Sequence, residues 1–165
     1  MQIYIMRHGQ ANPTGSIDHL RELTSKGYQE AKAIGHWFND SGICLSQIFV
    51  SPFIRAQQTA NTVLGEFSLA VKSQSLDFIT PSDNAERFHD YLDAVIANNP
   101  SEYTHADHLL IVSHMPLVSY LVAELTYDAQ SPIFQTAAIA HIDYDVTKMK
   151  GQLVKLFAPA DLAAI

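Results

Sequence analysis

The segment that decides the fold is Leu109-Leu110-Ile111-Val112-Ser113-His114-Met115-Pro116. Its first four residues are aliphatic, which is typical of a short strand buried on both faces of a parallel sheet. A serine and a histidine follow where this strand would end. Pro116 suits the first turn of a helix, which we predict to reach about Leu125. Residues 109–125 therefore contain one complete unit of strand, polar turn and helix.

The same succession occurs twice earlier in the chain. Residues 2–6 are rich in β-branched and aromatic residues and precede Arg7-His8-Gly9, and residues 48–50 precede Ser51-Pro52. Thr24 is a candidate N-cap for the first helix. We predict helices over about 25–40, 53–67 and 83–98, a weaker strand near 76–79, and an antiparallel pair of strands over about 138–145 and 152–158. This alternation predicts a three-layer α/β/α fold whose central sheet is largely parallel, with an antiparallel edge.

Composition and charge restrict the class of protein. The chain has 165 residues, a length that predicts a single domain over residues 1–165. Ten Lys and Arg against seventeen Asp and Glu give a net charge of −7, which argues against nucleic acid as a partner because a nucleic-acid binder needs a basic face. The single cysteine, Cys44, fits a reducing compartment, and no stretch approaches the roughly 20 apolar residues of a membrane span. We therefore expect a cytoplasmic protein that does not cross a membrane.

Polar side chains collect where the predicted parallel strands end. Arg7 and His8 follow the first strand, Arg55 lies one turn into the helix after the second, and His114 follows the strand at 109–112. Because ligands of open α/β sheets bind beyond the carboxyl ends of the strands, we expect these four side chains to meet at one edge. One histidine or arginine alone at such a place is more often structural, but four together indicate a functional site.

These side chains suit phosphoryl transfer to a histidine. Guanidinium groups present planar pairs of donors to phosphoryl oxygens, and a neutral histidine can attack phosphorus if its other ring N–H is held by a hydrogen bond. The second histidine can donate to the oxygens of the transferred group, and Gly9 allows the backbone to approach an anion closely. This chemistry needs no metal or cofactor, and none is predicted. His105 and His108 have a spacing that two metal ligands use, but no third ligand is evident near them.

The motifs at these strand ends resemble those of the histidine phosphatase superfamily, whose fold is called phosphoglycerate mutase-like. In chain order they are Met6-Arg7-His8-Gly9, Arg21 with Leu23-Thr24, Val50-Ser51-Pro52-Phe53 followed by Arg55-Ala56-Gln57-Gln58-Thr59, and Ser113-His114 with Pro116-Leu117-Val118. In particular, the chain resembles the SixA-type phosphohistidine phosphatases of bacterial phosphorelays. The resemblance extends over nearly the whole chain and is weakest over residues 66–107 and 145–165.

The resemblance implies a role for each of these residues. His8 is expected to be the nucleophile that becomes phosphorylated, and Arg7 and Arg55 are expected to bind the phosphoryl group. His114 is then the second catalytic histidine. The positions expected to bind substrate are Gly9, Asp18 and Arg21, of which Asp18 is placed to orient Arg21.

Two features favour a phosphorylated protein side chain as the substrate. Larger superfamily members carry a helical insertion that covers the site and supplies an acidic proton donor, whereas here only about forty residues separate Ala70 from the strand at 109–112. A strand and a helix occupy most of them, so we expect a minimal lid, and an open site suits a protein better than a sugar phosphate. The second feature is the lack of a clear acid: Glu86 is the nearest candidate, but its place near a helix N-terminus explains it more simply. A phosphoramidate needs such an acid less than an ester does, because imidazole leaves as a neutral molecule once its other nitrogen is protonated.

We therefore predict a metal-independent phosphohistidine phosphatase that works through a covalent phosphohistidine intermediate. Its expected partner is a phosphohistidine-containing protein, either a histidine phosphotransfer domain or a phosphocarrier protein. Two alternatives stay open at this point. The chain could be a small-molecule phosphomonoesterase of the same superfamily, or a regulator that binds phosphohistidine without hydrolysing it.

Overall fold

The computed structural model describes residues 1–13, 17–68, 70–104 and 106–162. The strands within these ranges are β1 Gln2–Arg7, β2 Gln47–Val50, β3 Lys72–Ser75, β4 His108–Ser113, β5 Ile139–Asp145 and β6 Lys150–Phe157. The helices are α1 Ser25–Asp40, α2 Ile54–Leu64, α3 Ala85–Asn98, α4 Leu117–Leu125 and α5 Pro159–Leu162, with a short 3-10 helix at Asp18–Leu20. None of the helices in the described ranges is both long and apolar enough to cross a lipid bilayer.

All of these strands belong to one mixed sheet in the order β3-β2-β4-β1-β5-β6. The first four strands in this order run parallel to one another, β5 runs antiparallel to β1, and β6 runs antiparallel to β5. The prediction of a largely parallel sheet with an antiparallel edge is confirmed. β4 and β1 occupy the centre of the sheet, so the residues that follow them lie beyond the carboxyl ends of the two central strands.

Alternate residues of the central strands enter two separate cores. Tyr4, Ile48 and Leu110 pack with α1 and α2 on one face, whereas Ile5 and Ile111 pack with α3 and α4 on the other. Burial on both faces explains why these strands are continuous apolar runs. The three-layer α/β/α arrangement is confirmed.

The start of α1 matches the sequence prediction. The Thr24 side chain accepts a hydrogen bond from the Gly27 amide at 3.1 Å, so Thr24 is the N-cap. Ala31, Ile34 and Phe38, at helical spacing, are fully buried against the sheet. This packing fixes α1 beside the loop that follows β1.

The strand predicted near 76–79 is wrong. The third strand is β3, at Lys72–Ser75, and all four of its residues are exposed. As an edge strand it pairs with β2 only, and its polar residues carry no hydrophobic pattern that could be recognised. The apolar residues that suggested a strand, Leu76 and Ile79, lie in the turn after β3 and are buried in the core beside α3.

Two predicted boundaries also change. The second helix ends at Leu64 rather than near 67. The last strand begins at Lys150 rather than near 152, because Lys150 and Gly151 already pair with Asp145 and Tyr144 of β5.

Candidate active site

Three neighbouring strands end side by side at one edge of the sheet. β4 lies between β2 and β1, with Val50 opposite Val112 and Arg7 opposite Ser113. The His8 amide then donates to the Ser113 carbonyl at 2.9 Å. The structure therefore brings the polar residues after these strands together.

His8 is held in one neutral tautomer. Its Nδ1 lies 2.7 Å from the carbonyl oxygen of Gly9, which can only accept, so Nδ1 carries the proton. Its Nε2 lies 3.2 Å from Nε of Arg55, which can only donate, so Nε2 carries the lone pair. The side chain is buried, at 7% exposed. His8 thus presents one unprotonated nitrogen in a largely dry site.

His114 lies next to His8, with their ring centroids 5.0 Å apart. It is 1% exposed, and the ring of Phe53 packs against it. Nε2 of His114 lies 2.7 Å from Oγ of Ser51. Nδ1 is buried and has no hydrogen-bond partner among the described residues.

Arg55 is nearly enclosed, although it lies on a helix. Besides its contact with His8, Nη1 donates to the Asp18 carbonyl at 2.6 Å and Nη2 donates to Oδ2 of Asp18 at 3.0 Å. The guanidinium also lies 5.1 Å from the centroid of the Phe53 ring. These hydrogen bonds use three of the roughly five N–H groups of a guanidinium, so two form no hydrogen bond with the described residues.

Asp18 connects two arginines rather than the one predicted. Its Oδ1 accepts from Nη1 of Arg21 at 3.0 Å, while its Oδ2 accepts from Arg55. Arg21 is fixed further by donating from Nε to the Asn12 carbonyl at 2.7 Å. Partial burial acts to raise the pKa of Asp18, but the hydrogen bonds from the two arginines outweigh it and lower that pKa. Asp18 is therefore an ionised group that positions both cations.

Arg7 is held by the segment that precedes β5. Its Nη1 donates to the Phe134 carbonyl at 2.8 Å. Its Nε is buried and, like Nδ1 of His114, has no hydrogen-bond partner among the described residues. Buried polar atoms are rarely left unpaired, so these two nitrogens indicate a place for a ligand.

Gly9 contributes its carbonyl oxygen to the site, where it holds Nδ1 of His8. Its amide donates to Oγ1 of Thr59 at 3.1 Å. A Cβ at this position would lie 2.5 Å from the carbonyl oxygen of Gly27 in α1. The close contact with α1 therefore requires a glycine here, a reason that the sequence did not indicate.

Three supporting side chains were not assigned a role from the sequence. Ser51 contacts His114, and Thr59 binds the backbone of Gly9. Glu30 accepts from the Gln10 amide at 2.8 Å and from Oγ1 of Thr136 at 2.9 Å, so it joins the loops that follow β1 and precede β5. These contacts join residues far apart in the sequence, and only Ser51, at a strand end, stood in a position that could have drawn notice.

Glu86 does not belong to this constellation. It lies in the first turn of α3, and its amide donates to Oδ1 of the N-cap Asn84 at 2.9 Å. Its side chain lines a separate groove with Tyr120 and Glu124. In residues 1–13, 17–68, 70–104 and 106–162 no group of three or more His, Cys, Asp or Glu side chains is arranged to hold a metal ion; His105 lies outside these ranges.

Burial keeps both histidines of the site neutral. Burial, together with the smaller effects of Arg55 and Arg7, lowers the pKa of His8 to about 4, although the hydrogen bond to Gly9 acts to raise it. Burial, followed by the neighbouring His8, lowers the pKa of His114 to about 2. At neutral pH neither ring is charged, and each carries a single N–H.

These shifts predict a loss of stability as the pH falls. The unfolded chain binds protons on these histidines near pH 6.5, whereas the folded chain does so only near their lowered pKa values, so stability is complete above pH 6.5 and decreases below it. Between pH 7 and pH 5 we expect wild type to lose about 1–2 kcal/mol more than His114→Asn. Urea unfolding at the two pH values measures this, with His36→Asn as a control that removes an exposed histidine. Equal pH dependence in wild type and His114→Asn would contradict a neutral His114.

Comparisons with known proteins place this arrangement in a family. Residues 3–76 match the histidine phosphatase superfamily (branch 1). The chain is 34% identical over 145 residues to the phosphohistidine phosphatase SixA of Escherichia coli (strain K12). This alignment covers 88% of this chain and 86% of the relative. This chain belongs to the histidine phosphatase superfamily.

Two further comparisons agree with the assignment of this histidine phosphatase to the superfamily. It is 36% identical over 156 residues to the phosphohistidine phosphatase SixA homolog of Haemophilus influenzae, covering 90% of this chain and 91% of that protein. A solved structure of the protein histidine phosphatase SixA complexed with tungstate superposes with a TM-score of 0.88 at 33% identity, covering 98% of this chain and 99% of the other. The phosphoglycerate mutase-like fold class predicted from the motifs is thus confirmed. The family match over residues 3–76 includes Arg7, His8 and Arg55, and the geometry adds His114 to them.

Proposed function

We propose that this chain is a protein phosphohistidine phosphatase whose nucleophile is Nε2 of His8. One observation carries the proposal: buried, neutral His8 holds the lone pair of its Nε2 against Nε of Arg55, and its ring centroid lies 5.0 Å from that of His114. A neutral ring nitrogen with its other N–H held by a carbonyl is the form that attacks phosphorus. The relative solved with tungstate, a tetrahedral oxyanion, supports a site for a phosphoryl group.

The proposed reaction has two steps. In the first, Nε2 of His8 forms a bond to phosphorus while the bond between phosphorus and the substrate imidazole breaks. The substrate imidazole keeps the electron pair and, already protonated on its other nitrogen, leaves as a neutral ring. In the second step, water attacks phosphorus, the bond to Nε2 breaks with its electron pair returning to Nε2, and phosphate leaves as H2PO4− with both protons of the water, which restores neutral His8.

The arginines stabilise the negative charge of the transferred group. Nε of Arg55 holds the Nε2 lone pair before attack, and it is free to donate to a phosphoryl oxygen once that lone pair is used. Nε of Arg7 and Nδ1 of His114 supply donors that no described protein group occupies. Asp18 forms ion pairs with both Arg55 and Arg21. We propose that Asp18 contributes to substrate binding by holding these two arginines, and that Arg21 contributes a further positive charge.

The absence of a positioned acid favours phosphohistidine over a phosphate ester. Among the described residues Asp18 is the only carboxylate that hydrogen-bonds to a site arginine, and it is ionised. His114, neutral at the pH of the reaction, has no spare proton to give. An alkoxide leaving group needs an acid, whereas imidazole brings its own proton.

The surroundings of the site favour a protein as the substrate. Between β3 and β4 the described residues form only α3 and short turns, so no inserted domain covers the site. Exposed apolar side chains stand beside the residues that bind the arginines: Ile17 and Leu20, next to Asp18, are 63% and 43% exposed, and Ile133, next to Phe134, is 83% exposed. Apolar side chains around a charged site suit contact with another protein surface. We propose a histidine phosphotransfer domain or a phosphocarrier protein as this partner, with the reaction taking place in the cytoplasm.

The test compares three substrates in the presence of a chelator. We expect the highest kcat/KM on a phosphohistidine carrier protein, a lower value on phosphoimidazole, and the lowest on phosphoglycerate. A preference for phosphoglycerate would replace the proposal by a small-molecule phosphomonoesterase, and tight binding of the carrier without release of phosphate would replace it by a regulator.

The same assay separates the site from its surroundings. Ile133→Asp should raise KM for the carrier protein by about tenfold, because an apolar contact is replaced by a charge, and should leave phosphoimidazole turnover unchanged. Val154→Asp is the matched control, since Val154 is 54% exposed on β6. Equal effects of the two variants on the carrier would contradict the protein-contact role of Ile133 and leave the chemistry of His8 unaffected.

A further inference from the structure

Ser51 and His114 form a buried pair beyond the carboxyl ends of the neighbouring strands β2 and β4. Ser51 directly follows β2 and is fully buried, and its Oγ lies 2.7 Å from Nε2 of His114. The Phe53 amide points at the same oxygen, at a longer distance of 3.4 Å. Ser51 is therefore in contact with the second histidine but not with His8.

The position of one proton decides what His114 can do. A neutral imidazole has one N–H, and the hydroxyl of Ser51 can either donate to Nε2 or accept from it. If Nε2 held the proton, Nδ1 would be a bare, buried lone pair on a ring 5.0 Å from that of His8, beside which the proposed function places an anion. If Ser51 donates to Nε2, the proton is on Nδ1 and that atom becomes a donor.

A carbonyl at the place of Ser51 would fix the opposite tautomer, because a carbonyl only accepts. Each of the two histidines thus has one nitrogen set by its neighbour. Gly9 accepts from Nδ1 of His8 and so leaves Nε2 of His8 as the lone pair. A hydroxyl that donates to Nε2 of His114 gives that ring the same Nδ1–H tautomer, but in His114 the atom without a protein partner is the Nδ1–H, whereas in His8 the lone pair of Nε2 is the reactive atom.

We infer that Ser51 is a positioning residue: its O–H donates to Nε2 of His114 and so directs the Nδ1–H of His114 at the phosphoryl oxygens. The inference rests on the proposed function, because it takes the phosphoryl group to lie beside His8. The Phe53 amide, on the acceptor side of Oγ, leaves the hydroxyl proton free to point at His114. No proton is transferred in this arrangement, and His114 acts throughout as a neutral hydrogen-bond donor.

The first test observes the tautomer directly and does not depend on activity. Nitrogen NMR of histidine-labelled protein at neutral pH should show His114 protonated on Nδ1 and unprotonated on Nε2, and assignment by His114→Asn identifies the signals. In Ser51→Ala the Nε2–H form should appear. A wild-type His114 protonated on Nε2 would overturn the inference even if the phosphatase activity is confirmed.

The second test is a double-mutant cycle measured as kcat on phosphoimidazole. Ser51→Ala should lower kcat by about 10- to 100-fold with little change in KM, which is less than the 10²–10³-fold cost of losing a whole oxyanion donor. In a His114→Asn background, Ser51→Ala should have no further effect, because Ser51 acts through His114. Ser51→Cys, which keeps a weak donor of similar size, should recover part of the rate. Equal losses from Ser51→Ala with and without His114 would show a merely structural role and contradict the inference. If the wild-type protein itself releases no phosphate from phosphoimidazole or from the carrier, the proposed function is contradicted instead.

Discussion

His8→Asn should abolish turnover of a phosphohistidine carrier, with kcat reduced by at least about 10⁴-fold. The reason is that the amide of asparagine cannot form the covalent intermediate, and no other neutral nitrogen in the described site is placed with its lone pair beside both Arg55 and Arg7. Asparagine is smaller than histidine, and its amide N–H can still donate to the Gly9 carbonyl, so the loop should keep its shape. Steady-state phosphate release measures the effect.

The control for this prediction is binding. Because the arginines stay in place, His8→Asn should still bind the phosphorylated carrier with an affinity close to that of wild type. A variant that keeps more than about one hundredth of the wild-type kcat would contradict the nucleophilic role of His8, because even a group that only assists by proton transfer is worth about 10²- to 10⁴-fold.

Arg55→Met should have the second largest effect, a loss of kcat of about 10³-fold. Arg55 holds the attacking lone pair through Nε and is fixed by Asp18, so its removal takes away both the orientation of His8 and a positive charge next to the phosphoryl group. Arg55→Lys should recover only part of the rate, because one ammonium group cannot replace the planar pair of donors. Phosphate release from phosphoimidazole measures the chemical step without contacts to a carrier.

The matched control removes an arginine elsewhere. Arg87 lies on α3, where its guanidinium packs over the Phe78 ring, and it makes no contact with the site. Arg87→Met should therefore keep activity within about twofold of wild type. A similar loss in Arg87→Met and Arg55→Met would show that the effect comes from the net charge of −7 becoming more negative rather than from the site.

The fold could be predicted wherever burial gives a strand or helix a pattern. Strands β1, β2 and β4 are buried on both faces, and their apolar runs end where the polar site residues begin. Strand β3 gave no such signal, because an exposed edge strand has no need of apolar residues, and the buried Leu76 and Ile79 were assigned to it instead. Side chains that pack in turns carry the same hydrophobicity as those in strands, so the sequence alone does not separate them.

The site could be predicted as a set of residues but not as a set of hydrogen bonds. The four strand-end positions follow from parallel topology, since the carboxyl ends of parallel strands meet at one edge. The contact of Asp18 with Arg55 joins residues 37 apart, and that of Ser51 with His114 joins residues 63 apart. Neither has a local sequence signal, because each depends on how loops return to the sheet edge. The sequence likewise does not show why position 9 must be glycine, since this depends on the close approach of Gly27 in α1.

The most direct test of the central claim is to trap the covalent intermediate. The protein is mixed with a phosphohistidine carrier, the reaction is stopped with alkali within its first turnover, and the phosphorylated residue is identified by mass spectrometry and phosphorus NMR. We predict an acid-labile, alkali-stable phosphoryl group on Nε2 of His8, absent in His8→Asn. Release of phosphate without any label on His8, or a label on His114 instead, would contradict the account.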